Sequence, residues 1–171
     1  PGLSLIGRRL KQYVNYNQKP TAAFYSHTAN QVQENYSDFL IISGAYGDTR
    51  RYRSLHLYEQ LRLLGLSASI HQITDVGLVE RAAKAKMVVI HRATYEQNVA
   101  AIIAAGKANN AVVLADMDDL IFDPQMLPYI DVADLKDPIR YEAYRMNMDE
   151  HKQTLLNCDG VLVTTKFLAD E

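Results

Sequence analysis

Five short apolar runs, each separated from the next by a helix-length stretch, constrain this chain more than any other feature. They are Asp38 to Ser43, Ala68 to Gln72, Met87 to His91, Ala111 to Ala115 and Gly160 to Thr164. Runs of this kind between turn signals read as strands buried on both faces. The stretches between them carry helical spacing. Arg50 to Leu64 sets Leu57, Leu61 and Leu64 on one face, with Gly65 just past its end. Asp75 reads as the cap of a short helix that turns Leu78, Val79 and Ala82 inward, and Tyr95, Val99, Ile102 and Ile103 mark another that Gly106 closes. Asp137-Pro138 is a cap followed by proline in the first turn, opening a long helix through Tyr141, Tyr144, Met148 and Leu155. The alternation predicts an α/β fold, a Rossmann-like parallel sheet with helices on both faces and right-handed crossovers.

The chain has 171 residues and is 48% hydrophobic, enough for one domain with a substantial core and too short for two. That domain is expected over residues 38–171. Residues 1–37 read as an arm and a connection: Leu3, Ile6, Leu10, Tyr13 and Val14 recur at helical spacing beside Arg8, Arg9 and Lys11. With 18 basic and 20 acidic side chains the net charge is -2, so no global field draws the protein to nucleic acid, and any anion binding is local. A single cysteine, Cys158, excludes an internal disulfide, fits a cytoplasmic location and reads as a small core residue. No apolar run reaches bilayer length, although the basic arm leaves a peripheral membrane contact open. The first residue is not methionine and the last residues open a helix, which leads us to expect a piece excised from a longer polypeptide.

Chemistry is expected at the carboxyl ends of the strands, where open α/β sheets bind ligands. The run AVVLADMDDLIFDP ends in Asp116, Asp118, Asp119 and Asp123. The loop after the first strand, SGAYGDTRRYR, supplies Gly44 and Gly47 for a tight turn and close backbone approach, then Asp48, Arg50, Arg51 and Arg53. Cations in a first helical turn oppose the macrodipole, so a compensating anion is implied: a ligand phosphate, or Asp116, Asp118 and Asp119 themselves. Arg50 and Arg53 share a helix face while Arg51 points elsewhere. The third strand ends in His91 and Arg92, candidates for contacting a substrate hydroxyl or moving a proton. The GxxG spacing departs from the dinucleotide fingerprint. His56, His71 and His151 lack metal-ligand spacing, so neither a metal nor a cofactor is expected.

In their order and spacing, SGAYGDTRRYR, LHLYEQLRLLG, VVIHR, VVLADMDDLIFDP and CDGVLVTTKFLADE resemble the N-terminal half of GT-B glycosyltransferases of the family 4 type, over about Asp38 to Glu171. The resemblance implies a retaining, metal-independent transfer of a sugar from a nucleotide-sugar donor to a glycan or other hydroxyl acceptor. This half would form the acceptor side, and a further domain would hold most of the donor. Gly44 and Gly47 match the family's first loop. Asp118-Asp119 falls where many relatives have a His-Asp pair, so Asp118 replaces a donor-contacting histidine. Thr164 and Thr165 match small hydroxyl residues after the fifth strand. The resemblance assigns no catalytic base. By the residues alone, other readings stand beside it. Asp116 and Asp118 could hold a metal in a GT-A-like glycosyltransferase. A dehalogenase-type phosphatase would want threonine or valine where Leu120 stands. A receiver-like domain would use the acidic edge for interaction without catalysis.

Overall fold

The alternation is realised as a five-stranded, wholly parallel sheet, seen in a computed structural model that describes residues 36–131 and 133–171. The amphipathic arm expected in residues 1–37 lies almost entirely outside the described residues. The strands are β1 (Phe39–Ser43), β2 (Ala68–Gln72), β3 (Met87–His91), β4 (Val112–Met117) and β5 (Gly160–Val163). Their spatial order is β2-β1-β3-β4-β5. The connection from β1 runs one way to β2 and then crosses back to β3. The strand order therefore reverses between β1 and β3, and a crevice is expected above their carboxyl ends.

The helical layers follow from alternation along each strand. Leu40, Ile42, Val88, Ile90 and Val113 form one core with Leu78 and Ala82 of α3 (Leu78–Ala82) and with Val99, Ile102 and Ile103 of α4 (Gln97–Ala108). Ile41, Ile70 and Val89 form the other with Tyr58 of α2 (His56–Leu63). Leu40, Ile41, Ile42 and Val88 are at most 1% exposed, and burying each such side chain is worth roughly 1.5–3 kcal/mol before chain entropy is counted. Met117, Phe122 and Leu168 make a third cluster beside β5 and α6 (Lys166–Asp170).

Several local expectations are corrected. The first helix begins earlier than expected as α1 (Gly47–Arg50), and Arg51–Leu55 winds as a π turn before α2. Asp75 does not cap α3, whose N-cap is Gly77; its carboxylate instead accepts the Gln72 amide at 3.0 Å, ending β2. Val79 is 37% exposed rather than turned inward. Gly106 does not close α4 but sits inside it, where a Cβ would stand 2.9 Å from Val113 Cγ2; glycine lets the helix lie close on the sheet. The terminating left-handed residue is Asn110 at φ 63°, with the Ala111 amide bonded back to the Gly106 carbonyl. β4 runs two residues further than expected, which brings Asp116 into the sheet itself. Gly65, at φ 74°, ends α2 as its composition implied, and Asp137 caps α5 (Pro138–Asn157) by accepting the Ile139 amide at 2.9 Å. Cys158 packs against the core, and burial pushes its thiol up to about 11.

Gly44 joins β1 to β3. Its amide donates to the His91 carbonyl at 2.7 Å, and a Cβ there would meet the Arg92 carbonyl and, at 2.8 Å, Ala93 Cα. Backbone cannot yield as a flexible side chain can. Gly44→Ala is expected to lower unfolding free energy by about 3 kcal/mol. Urea denaturation checks this, and an unchanged midpoint would show that the two loops can part.

Candidate functional site

Parallel register sets Ser43, His91 and Asp116 in one row across the carboxyl end of the sheet, because Ser43 pairs with His91 and His91 with Asp116. All three face the α2 side and are at most 2% exposed. The π turn answers them from above. Its wider winding carries Arg53 and Ser54 over the row. Arg53 donates to both oxygens of Asp116, from Nη2 to Oδ1 and from Nε to Oδ2 at 3.3 Å, a paired geometry suited to guanidinium and carboxylate. Ser54 Oγ lies 3.0 Å from His91 Nδ1 and Ser43 Oγ 3.3 Å from the same nitrogen. Ser43 donates to the Ala45 carbonyl, so its oxygen can accept a proton from Nδ1, and the two serines together engage that nitrogen. Nε2 stands 3.5 Å from Asp118 Oδ1 without hydrogen-bond geometry.

Serine, histidine and aspartate in this order resemble a nucleophilic relay, but the geometry opposes that use. Ser54 is 1% exposed and His91 is wholly buried, so no substrate carbonyl can approach the hydroxyl. His91 is a core histidine engaged by Ser43 and Ser54 at Nδ1 alone. Burial pushes its pKa down, against the Asp116 and Asp118 charges and with the help of Arg92, so the ring is neutral at pH 7.

A second pair lies beside the first. Arg92 Nε donates to Asp118 Oδ1 at 2.5 Å, and Nη2 reaches Asp119 Oδ2 at 3.4 Å. Burial works to raise Asp118, yet the Arg92 bond and charge, with His91, outweigh it and hold the carboxyl below its ordinary value. Arg92 itself adopts φ 44°, a left-handed backbone that carries the chain away from β3. The protein's own carboxylates, one of the two anions expected for the arginines, pair with Arg53 and Arg92. Among the described residues no three His, Cys, Asp or Glu groups converge on a metal position.

The remaining sequence candidates are dispersed. Gly47 opens α1 at φ 63° with free space around it, and Asp48 is exposed in the first turn. Arg50 does not join Arg53 in the row; the π turn breaks the shared face that regular α spacing implied. Thr164 is exposed after β5, and Thr165 caps α6 by accepting the Leu168 amide at 3.2 Å.

On the opposite face, above the ends of β1 and β3, a cavity of about 460 Å³ opens at the switch point. Its walls include Gly44, Arg92, Thr94, Asn98, Asn147 and His151. The sequence reading passed over Ser54, Asn147 and His151 as site residues, since no local spacing links α5 to the loop after β3.

No family model matches the chain, and no curated protein matches it. Among solved structures it resembles the TIR domains in the structure of the activated Roq1 resistosome directly recognizing the pathogen effector XopQ. Identity is 14% and the TM-score 0.45, over 79% of this chain and 92% of that one. The likeness is too distant to carry activity. The glycosyltransferase expectation is nonetheless corrected. The solved structure it resembles is a TIR domain rather than the N-terminal half of a GT-B enzyme. Physically, Asp118, which the resemblance set in place of a donor-contacting histidine, is tied to Arg92. What stands is the class: a Rossmann-like α/β domain with a parallel five-stranded sheet.

Asp116 is 2% exposed, so removing its guanidinium leaves a buried charge uncompensated. Arg53→Ala is expected to lose about 3 kcal/mol, and Arg53→Met with Asp116→Leu to recover most of that loss, read by chemical denaturation. The histidines add a pH effect. His71, His91 and His151 are all lowered from 6.5, burial being the largest cause in each. Below 6.5 the unfolded chain binds protons that the folded one refuses, so stability falls as pH drops from 6.5 towards the folded values. Thermal midpoints between pH 7 and pH 5, about the window these histidines govern, should fall in the parent and fall less in His91→Gln.

Proposed function

We propose that the chain is a receiver-like α/β interaction domain that presents the carboxyl edge of its sheet to a protein partner rather than turning over a substrate. One observation carries the reading: two arginine–aspartate pairs of the edge are spent on one another, while the same edge displays unburied aromatic rings. Arg53, Asp116, Arg92 and Asp118 are paired, and His91 and Ser54 are sealed beneath the π turn. From the loop above them Tyr46 and Tyr52 project, 69% and 64% exposed. Tyrosines on a rigid base are the side chains that anchor protein interfaces, because they bury much area for little lost rotamer freedom. Tyr52 is also held in place by an edge-to-face contact with His56, centroids 5.4 Å apart. Asp48 and Asp119 flank this base as exposed carboxylates, Asp119 reached by Arg92 at 3.4 Å.

The flavodoxin-type strand order supports the same reading, since it sets the loops after β1, β3 and β4 side by side on one edge. The test is site-specific photo-crosslinking in the full chain inside its own host. A photoreactive phenylalanine analogue at position 46 or 52 is expected to give discrete protein adducts, weakened by Asp119→Lys. The same analogue at Leu63 or Leu156, 58% and 67% exposed at the opposite edge, should not give them. Equal labelling from all four positions, or none from 46 and 52, overturns the proposal.

A further inference from the structure

The switch-point cavity shares Gly44 and Arg92 with the edge just described but not its tyrosines, and it has a chemistry of its own. At about 460 Å³ it falls in the size range of small-ligand sites. Three features of its wall bear on what fits. First, α4 starts there: Asn98 and Val99 line the cavity, and the helix has no side-chain cap. Its first main-chain bond is from the Ala100 amide to the Glu96 carbonyl, so the amides before it have no partner within the helix. A helix start of this kind accepts a carboxylate or phosphate, but by itself it is a general feature of helices.

The second feature is specific. His151 lies in the wall on α5 and is 6% exposed. The Ala93 backbone favours its charged form, and its Nδ1 is buried with no hydrogen-bond partner. Burial, joined by the Arg92 charge and opposed by the Ala93 backbone, keeps the ring neutral. On a neutral ring whose other nitrogen donates towards Ala93, Nδ1 would be the acceptor, and it is the ring nitrogen left without a partner. The third feature is Glu96. Its carboxylate is not spent on capping α4; it accepts from the Thr94 hydroxyl at 3.2 Å and stands on the rim as a second acceptor. Arg92 offers little opposing charge, because Asp118 and Asp119 already hold it.

A simple anion would therefore meet Glu96, and a neutral polyol would bring no charge to the helix start or to Glu96. A molecule carrying both signs satisfies both. We propose that this cavity binds a small zwitterion of the α-amino acid class. Its carboxylate lies at the amino end of α4, and its ammonium is directed to the Glu96 carboxylate and to Nδ1 of His151. The side chain packs on Ile73 and Val99, which supply the apolar wall.

The experiment is calorimetric titration of the full chain with each of the twenty common L-amino acids, and with inorganic phosphate, glycerol 3-phosphate and glucose as the competing chemistries. At least one amino acid should bind saturably at one site, and its methyl ester and N-acetyl derivative should each bind about tenfold more weakly or worse. Glu96→Gln, at an exposed position, should weaken the same ligand about tenfold with an unchanged melting midpoint. Binding by phosphate, glycerol 3-phosphate or glucose without any amino acid would overturn the ligand class, and so would an amino acid indifferent to both blocking groups. No binding by any of them would overturn the site. None of these outcomes alters the crosslinking result expected for Tyr46 and Tyr52.

Discussion

A carboxylate inside a parallel sheet is the constraint on which the upper half of this molecule depends. Asp116 belongs to β4, flanked in register by His91 on β3 and Leu162 on β5, and it is 2% exposed. A charge so placed is tolerable only with a counterion in good geometry, and Arg53 is the group that arrives. To bring it there the chain after β1 winds as a π turn, which also seats Ser54 on His91. The row, the π turn and the first ion pair thus form one arrangement, in which each part gives the others their reason.

The neighbouring pair extends that arrangement to the loops. Arg92 leaves β3 in a left-handed conformation, donates to Asp118 and reaches Asp119, so the exit of β3 is tied to the segment after β4. Gly44 closes the other side, since its amide bonds the His91 carbonyl and its missing side chain makes room for Arg92 and Ala93. The edge of the sheet is therefore stiff and nearly neutral. Such a base suits recognition, where preorganised loops lower the entropy lost on binding. The same rigid backbone frames the cavity on the far face, walled by the loop after β3 and by α5.

Much of this architecture was legible in the sequence. The five apolar runs became five strands, and Gly65 and Asp137 mark the helix ends they announce. The carboxyl edge gathered Gly44, Arg53, His91, Arg92, Asp116 and Asp118, as strand-end positions require in a parallel sheet. The function inferred by resemblance did not survive, because motif order along a chain reports which strand ends carry charge and not whether those charges face a ligand or each other. Asp75, Gly106 and Val79 erred for a related reason: a cap, a helix stop and an inward face are each one of several local solutions, and the neighbouring strand or helix selects among them.

By itself the sequence determined the elements, their parallel order of hydrophobic burial and the collection of ionisable groups at one edge, since periodicity and strand polarity are properties of the chain alone. Only the tertiary structure decided how those groups are spent. The pairing of Arg53 with Asp116 spans 63 positions, and that of Arg92 with Asp118 spans 26. His151 meets the loop after β3 through a helix that begins beyond β4. Such encounters depend on register, on a π turn and on helix placement, which are set by packing many residues at once and so leave no local trace in the sequence.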